Sequence, residues 1–499
     1  MSAELDPLEQ HLVDELRSLA PPERAVEIPA EAAHAWRAQI ESRAIDHAAR
    51  WLQAQKLGYY TIGSAGHESN ALVALALSPT DPALLHYRSG AFYLARAGQA
   101  GRDGAWDVLL GMAAAVEEPM AGGRHKVFGH HDLAVIPQTS TIASHLPRAV
   151  GIAFAIERAR ELGVASAWSP EAVVVCSFGD ASLNHATAQS ALNAAAHFAY
   201  RGERLPLLFV CEDNGLGISV PTPEGWVEQA LHGRPELAVE RVDGDDPAAV
   251  LATTKELADW VRENRHPAVL HLRTVRFLSH AGADLETAYR SGPDIRADFA
   301  RDPLLATGRW LVSSGAVRGD ELAEEYLAAR DRIRDRALEA TTRSQMETAE
   351  EVMRPLAPRD PSAVAELAGG SGAAETDELL TLAQAIDAGL AGVLEDHPGV
   401  LVFGEDVGRK GGVYGVTRGL QARFGPLRVF DTLLDETTIL GLALGASISG
   451  FVPIPEIQYL AYLHNAEDQL RGEATTSPGM SRRTPTPLSL WKWPPKPFW

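Results

Sequence analysis

Between about residues 58 and 310, short apolar runs alternate with alanine-rich stretches, and this alternation limits the fold more than any other feature. The runs EAVVVCSF and LPLLFVCE have the length and composition of buried strands, and SALNAAAHFAY between them is typical of a helix. Repeated strand, helix, strand units form a parallel sheet, because each connecting helix returns the chain to the same edge. We therefore predict an α/β fold: a parallel sheet with helices on both faces.

The clearest candidate site consists of polar residues that follow two successive predicted strands. Residues 173–178 are followed by Gly179 and Asp180, and residues 207–211 are followed by a Glu-Asp-Asn run that ends at Asn214. In open α/β sheets, ligands bind outside the carboxyl ends of the strands, so Asp180 and Asn214 are expected to lie together. Carboxylate and amide oxygens suit Mg²⁺, which commonly keeps a phosphate among its ligands. The alternative interpretation is that both residues cap ordinary turns.

The second half of the chain has its own α/β pattern. A chain of 499 residues exceeds what one hydrophobic core normally supports, so at least two domains are expected. The stretch MRPLAPRDPSAVAELAGGSGAAETDE is typical of a linker, and the helix and strand patterns that follow predict a second α/β unit from near Leu379. The final stretch, TTSPGMSRRTPTPLSLWKWPPKPFW, combines proline and tryptophan without any apolar period.

Charge and composition exclude several kinds of function. The formal net charge of −21 argues against binding to nucleic acid or to anionic membranes. No run of 18 apolar residues occurs, and the two cysteines lack metal-ligand spacing, so we expect a cytoplasmic protein without a membrane span. Three histidine-rich spots, GRHKVFGHH, ASHLP and LNHATA, lack the tight spacing of zinc ligands.

Several motifs together resemble the thiamine diphosphate-dependent component of 2-oxo acid dehydrogenase complexes. The segment from Gly179-Asp180-Ala181 to Asn214 resembles the cofactor motif, with Ala181 in place of a third glycine. HYRSGAFYLAR and TVRFLSHAGADLETAYR resemble two further motifs of the alpha subunit. The resemblance implies a thiamine diphosphate-binding fold, with thiamine diphosphate and Mg²⁺ as cofactors.

The same resemblance assigns roles to individual residues. It implies that Asp180, Asn214 and the backbone carbonyl of Leu216 bind the metal, and that Tyr87 and Arg88 hold the diphosphate. His280 is implied to be catalytic, facing the reactive ring of the cofactor. The remaining cofactor-binding residues that it implies in this half are Ile142, Gly179 and Ala181.

Residues after the predicted linker resemble the beta subunit. In DTLLDETTI, Glu436 matches the catalytic glutamate that activates the cofactor, and in EIQYLAY, Gln458 and Tyr462 match residues on its pyrimidine side. A buried carboxyl with a raised pKa suits such a role. The beta pattern stops near Thr476, so we expect an incomplete pyrimidine-binding domain and a tail that resembles the product of a reading-frame change.

The resemblance therefore predicts both domains and a reaction. The domains are an N-terminal helical arm (1–34), an alpha-like pyrophosphate-binding domain (35–345), a linker (346–377), an incomplete beta-like pyrimidine-binding domain (378–475) and an atypical tail (476–499). The reaction is oxidative decarboxylation of a 2-oxo acid, preferably branched-chain such as 3-methyl-2-oxobutanoate, with acyl transfer to the lipoyl domain of a dihydrolipoyl acyltransferase. Pyruvate and acetoin are alternative substrates, and a homodimer is expected if the beta-like half is competent.

Two other functions stay open at this point. The chain could be a catalytically silent remnant or a module that only binds the cofactor, because the beta-like pattern is incomplete. A generic Mg²⁺-phosphate enzyme is the third interpretation, since the Asp180 and Asn214 pattern alone does not specify thiamine diphosphate.

Overall fold

The computed structural model of the chain describes residues 5–139, 141–353, 362 and 379–474. The predicted tail, 476–499, and most of the predicted linker, 346–377, lie outside the described residues. The predicted domain boundaries stay predictions. The described residues form parallel sheets flanked by helices, which confirms the predicted α/β fold class. No helix within the described ranges is both long and apolar enough to cross a membrane.

Helices predominate among the described elements. The α-helices are α1 (Pro7–Ser18), α2 (Glu31–Ala54), α3 (Asn70–Leu75), α4 (Gly90–Gln99), α5 (Gly104–Met112), α6 (Leu146–Leu162), α7 (Ala186–Tyr200), α8 (Trp226–His232), α9 (Pro247–Asn264), α10 (Gly292–Ala297), α11 (Pro303–Ser313), α12 (Gly319–Ala340), α13 (Ala349–Met353), α14 (Leu382–Asp396), α15 (Leu420–Phe424) and α16 (Glu436–Ile448). A π-helical turn spans Gln469–Ala474.

The strands divide into a large sheet, a small sheet and a short hairpin. They are β1 (Ala83–Leu84), β2 (Val135–Ile136), β3 (Val174–Gly179), β4 (Leu207–Asp213), β5 (Leu216–Gly217), β6 (Val220–Pro221), β7 (Ala238–Asp243), β8 (Ala268–Arg273), β9 (Val400–Gly404), β10 (Val429–Asp431) and β11 (Val452–Glu456). The large sheet has the order β2-β1-β3-β4-β8-β7, and all its neighbouring strands are parallel.

Both faces of the large sheet are covered, which explains why its central strands are continuous apolar runs. In β3, Val175 belongs to the core on one face, whereas Val174 and Cys176 belong to the core on the other. In β4, Leu208 and Phe209 divide in the same way. Residues that alternate between two buried faces must all be apolar, so the strands lack a polar side until their carboxyl ends.

The second unit packs directly against the first. Its parallel sheet has the order β10-β9-β11 and shares an apolar core with α6 and α7. Phe430 in β10 stacks on Phe403 in β9 at 5.1 Å between ring centroids and contacts Phe154 of α6 at 5.5 Å. The second unit therefore buries one side of its sheet against the first unit.

Helices α6 and α16 form the closest contact between the two units, through small residues. A Cβ atom added to Gly441 would lie 2.2 Å from the Cβ of Pro147, and one added to Gly445 would lie 2.3 Å from the carbonyl carbon of Gly151. Both pairs have the same offset along the chain, so the two helices run parallel. Their amino ends lie at the same edge, which brings the start of α16 to the level of Ile142, just before α6.

We expect Gly445→Ala to destabilise the protein, because its new methyl group would meet backbone atoms of α6, including the nitrogen of Ile152 at 2.4 Å. Overpacking of this kind lowers the free energy of unfolding by about 1–3 kcal/mol. The matched control is Gly389→Ala in α14, where an added Cβ meets nothing within 4 Å. Because it removes a helix-interior glycine, this control should gain about 0.5–1 kcal/mol. Chemical denaturation followed by circular dichroism measures both, and equal stabilisation would contradict the close packing of α6 on α16.

Candidate active site

A cavity of about 590 Å³ opens at the carboxyl ends of β3 and β4. The predicted site residues that line it are Tyr87, Arg88, Ile142, Gly179, Asp180, Ala181, Asn214, Leu216 and His280. They come together because β3 and β4 are adjacent parallel strands, with Gly179 directly opposite Glu212, so the chain leaves both strands at one edge. The cavity also contains side chains without a predicted role, among them Tyr60, His86, Lys126 and Arg276.

Oxygen ligands occupy one wall of the cavity. Asp180 begins a short 3-10 turn after β3 and is 1% exposed, and its carboxylate accepts a hydrogen bond from the Thr222 hydroxyl. Burial raises the pKa of Asp180 and the nearby Asp213 adds to this effect, whereas the hydrogen bond from Thr222 opposes it. The Asn214 side-chain oxygen accepts a hydrogen bond from the backbone N–H of Leu216 at 3.1 Å.

The loop between Asn214 and β6 is tightly folded against this wall. Gly215 has a φ of 73°, and a Cβ added to Gly217 would lie 3.1 Å from the Cβ of Ala181. Ile218 has a φ of 61°, which is unfavourable for a β-branched residue, and its carbonyl accepts a hydrogen bond from Arg276 at 2.6 Å. The glycines that follow the Glu-Asp-Asn run thus let the backbone approach the cavity closely.

Cationic side chains line the same cavity. Arg88 donates one hydrogen bond to the carbonyl of Gly63 and lies with its other terminal nitrogen 3.1 Å from Nδ1 of His280. Burial and the nearby Arg88 lower the pKa of Lys126 to about 8, although Asp46 opposes the shift. With Arg276, these groups form a cluster of three basic side chains on the cavity, which favours an anionic ligand.

The environment of His280 determines its protonation. Burial, Arg88 and Arg276 lower its pKa to about 4, so its ring is neutral at pH 7. Because a guanidinium only donates, the nitrogen Nδ1 that faces Arg88 must accept, which places the ring proton on Nε2. His280 therefore offers the cavity a neutral donor. The two residues before it, Leu278 and Ser279, have φ values of 61° and 62°.

Some of the backbone strain of the chain lies at this cavity. Ile218 in the wall, and Ala143 and Ser279 next to the wall residues Ile142 and His280, have positive φ values without being glycine. Such conformations cost about 1–3 kcal/mol each and persist where the surrounding structure enforces them, often at functional sites.

The three predicted residues of the second unit do not line the cavity. Glu436 is the first residue of α16 and is 7% exposed, with Nδ2 of Asn465 at 3.5 Å from its carboxylate. Gln458 donates hydrogen bonds of 3.1 Å to the backbone carbonyl of Glu405 and to the carboxylate of Asp406. Burial raises the pKa of Glu405, and the nearby Glu436 is the next largest cause. The predicted role of Glu436 stays a prediction.

Tyr462 also lies outside the cavity wall. It is 43% exposed and packs edge-on against Tyr459, with 5.3 Å between the ring centroids. The predicted roles of Tyr462 and Gln458 on the pyrimidine side likewise stay predictions.

The second unit contacts the cavity wall through a buried acid. Glu473, in the π-helical turn, accepts hydrogen bonds from Thr139 and Ser144 and pairs with Arg148 at 3.3 Å. Burial alone raises the pKa of Glu473, but Arg148 and the two hydroxyl groups outweigh it and lower the pKa. These contacts fasten the segment that carries Ile142 to the second unit.

Comparison with known proteins matches both units to family models. Residues 37–349 match the model described as "Dehydrogenase E1 component". The chain belongs to this family. Residues 378–481 match the model described as "Transketolase, pyrimidine binding domain". The resemblance predicted from the sequence is confirmed, including the fusion of an alpha-like E1 part with a beta-type part.

Similar proteins carry names from the same family. The "Pyruvate dehydrogenase E1 component subunit beta" of Staphylococcus epidermidis is 46% identical over 112 residues, which are 22% of this chain and 34% of that protein. The protein of the same name from Staphylococcus aureus is 47% identical over 94 residues, 19% of this chain and 29% of its own length. The chain thus spans about a third of the length of these curated relatives.

The cavity of this E1 family member fits a metal-bound diphosphate. Mg²⁺ prefers oxygen ligands, which Asp180, Asn214 and the backbone at Leu216 offer on one wall. A diphosphate requires positive groups, which Arg88 and Lys126 offer in the same cavity. The chemistry of the lining residues therefore suits the two cofactors.

Sequence reasoning missed two of the cationic residues. Lys126 lies in GRHKVFGHH, where the histidines point to zinc, whereas the structure places the lysine in the cavity wall. Arg276 follows β8 by three residues, so the rule that ligand residues follow parallel strands could have identified it.

Proposed function

We propose that this chain binds thiamine diphosphate with Mg²⁺ in the cavity and decarboxylates a 2-oxo acid oxidatively. The observation that carries the proposal is that oxygen ligands, at Asp180 and Asn214, and cationic side chains, at Arg88, Lys126 and Arg276, line the same cavity. Calorimetric titration with thiamine diphosphate tests it. We expect tight binding with Mg²⁺ present and little or none with a chelator, and equal binding in both would contradict the proposed metal site.

In the proposed reaction, the lipoyl group of a dihydrolipoyl acyltransferase is both the oxidant and the acceptor of the acyl group. The C1–C2 bond of the 2-oxo acid breaks and releases CO₂, the acyl group forms a thioester with one lipoyl sulfur, and the disulfide is reduced as the other sulfur takes a proton. When bound, thiamine diphosphate supplies the carbon nucleophile and accepts the electron pair that the departing CO₂ leaves behind. The protein residues bind, orient and transfer protons around it.

In this proposal, residues of both units bind and activate the cofactor. Asp180, Asn214 and the Leu216 carbonyl hold Mg²⁺, and Arg88 with Lys126 holds the diphosphate; Tyr87 lies against Arg88, with the guanidinium 5.1 Å from its ring centroid. Neutral His280 donates a hydrogen bond from Nε2 to the substrate. Ile142 and Ala181 complete the wall, and Glu436 activates the cofactor by hydrogen bonding to its pyrimidine ring.

Three candidate substrates follow from the relatives and from the sequence pattern. The names of the staphylococcal relatives favour pyruvate, whereas the overall sequence pattern favours branched-chain acids such as 3-methyl-2-oxobutanoate. Acetoin is a further candidate. One methylene in an apolar pocket changes specificity by about 1–3 kcal/mol, so a panel of 2-oxo acids separates these candidates. A homodimer and a cytoplasmic location remain parts of the proposal.

A module that only binds the cofactor is the second candidate function. The observation that favours it is the position of Glu436, which lies in the second unit outside the wall of the cavity. Binding without turnover would identify this function.

Because the pKa of Lys126 is lowered, we expect the protein to take up a proton when it binds the diphosphate at alkaline pH. A pKa of about 8 in the free protein means that Lys126 is mostly neutral near pH 9. An anionic diphosphate raises this pKa, so binding near pH 9 should take up a proton, whereas binding near pH 7 should not involve Lys126. Calorimetry in buffers of different ionisation enthalpy measures the uptake. Lys126→Met should remove it and the exposed Lys410→Met should not. An unchanged uptake in Lys126→Met would contradict this assignment.

A further inference from the structure

The Asn214 side chain is held in one orientation from both ends. Its oxygen accepts a hydrogen bond from the backbone N–H of Leu216, and its nitrogen Nδ2 lies 2.9 Å from Nε2 of His67. Because an amide NH₂ group only donates, Nε2 of His67 must be the acceptor. The imidazole therefore holds the nitrogen side of the amide and leaves the oxygen facing the Leu216 loop at the cavity.

A buried network fixes the proton of His67 where this hydrogen bond requires it. With Nε2 accepting, the proton is on Nδ1, which lies 2.7 Å from the carboxylate of Glu212. That carboxylate also accepts hydrogen bonds from Ser89 at 2.6 Å and from Asn70 at 3.2 Å. His67, Glu212 and Ser89 are each 0% exposed. Glu212 thus fixes the ring of His67, Ser89 and Asn70 fix Glu212, and His67 in turn fixes the amide of Asn214.

We propose that His67 is a positioning residue for the metal site: it keeps the Asn214 amide oxygen, rather than the NH₂ group, directed at the cation. The inference rests on the proposed function, in which Asn214 is a ligand of Mg²⁺. Without an acceptor at Nδ2, the amide can rotate and present its NH₂ group, which cannot bind a cation. Groups that orient metal ligands in this way typically change metal affinity by about 10-fold to 100-fold when they are replaced.

Two substitutions of His67 distinguish a role in hydrogen bonding to Asn214 from a role in packing alone. The amide of His67→Asn reaches the position of Nδ1 and can still donate to Glu212, but it is too short to accept from Asn214. The longer amide of His67→Gln places an oxygen near the position of Nε2. The readout is the Mg²⁺ concentration that half-saturates thiamine diphosphate binding, measured by calorimetry on the full chain. The melting temperature of each apoprotein checks the fold.

We expect His67→Asn to raise this Mg²⁺ concentration by about 10-fold or more and His67→Gln to raise it by less than about 3-fold. In an Asn214→Ala background, His67→Asn should add less than about 2-fold, because its effect passes through Asn214. If His67→Asn does not fold, Glu212→Leu replaces it with the same expectations, since leucine offers no acceptor for the Nδ1 proton of His67 and so no longer fixes the imidazole.

The outcomes distinguish this inference from the proposed function. A wild-type Mg²⁺ half-saturation in His67→Asn, together with strongly weakened Mg²⁺-dependent binding in Asp180→Ala, would overturn the role of His67 and leave the metal site in place. A full effect of His67→Asn in the Asn214→Ala background would also overturn it, because the effect would then come from packing. Unchanged binding in Asp180→Ala would overturn the proposed function and the inference together.

Discussion

Asp180→Ala is expected to weaken Mg²⁺-dependent binding of thiamine diphosphate by roughly 100-fold or more, about 2.7 kcal/mol. Asp180 provides the carboxylate of the proposed metal site, and it is almost fully buried, so water does not screen its attraction for a cation. Asn214 and the Leu216 carbonyl offer only neutral oxygens. Without Asp180, none of the proposed protein ligands carries a charge opposite to that of Mg²⁺.

The apoprotein of this variant should melt no lower than wild type. Burial raises the pKa of Asp180 in the folded state, so the ionised carboxylate lowers the free energy of unfolding at neutral pH. This penalty is lost as the pH falls through the raised pKa and the carboxyl is protonated. The matched control is Asp243→Ala, which also removes a carboxylate from the end of a strand in the large sheet, but outside the cavity wall. Equal cofactor affinity in Asp180→Ala and Asp243→Ala would contradict the metal site.

Glu436→Gln is expected to retain most of the cofactor affinity and to lose at least about 100-fold of decarboxylation activity. The carboxyl can hold or release a proton at the pyrimidine ring, whereas an amide of the same size cannot. Glu436 begins α16, and the parallel packing of α16 on α6 brings its end to the level of Ile142 in the cavity wall. The affinity should persist because the diphosphate and metal ligands belong to the other unit.

Single-turnover decarboxylation with saturating cofactor measures the effect of Glu436→Gln on the chemical step. Glu467→Gln is the control, because this more exposed acid lies in the same unit and pairs only with His464 and Arg471 among the described residues. Undiminished decarboxylation in Glu436→Gln would exclude Glu436 from catalysis. A matching loss in Glu467→Gln would show that the second unit is sensitive to any such change.

Local sequence patterns predicted the large sheet and one wall of the cavity. The apolar runs before Asp180 and Asn214 are buried on both faces, and polar residues can follow only where these strands end. Adjacent parallel strands end at the same edge, which is why two residues far apart in the sequence could be predicted to meet. The family resemblance added Tyr87, Arg88 and His280, which line the same cavity.

Contacts between distant segments could not be predicted in the same way. His67 meets Asn214 only because the loop before α3 folds over the end of β4, and its short stretch of sequence has no period that indicates this. The glycines of GLALG on α16 are visible in the sequence, but their partners, Pro147 and Gly151, are set by the packing of two units. Glu473 similarly contacts Ser144 across the interface.

Decarboxylation by the full chain tests the central claim most directly. The measurement is CO₂ release from a panel of 2-oxo acids, including pyruvate and 3-methyl-2-oxobutanoate, with thiamine diphosphate, Mg²⁺ and an artificial electron acceptor. We predict turnover that requires both cofactors, prefers one acid of the panel and disappears in Asp180→Ala and Glu436→Gln. Binding of thiamine diphosphate with Mg²⁺ but without CO₂ release from any acid of the panel would contradict the proposed enzyme and indicate a cofactor-binding module.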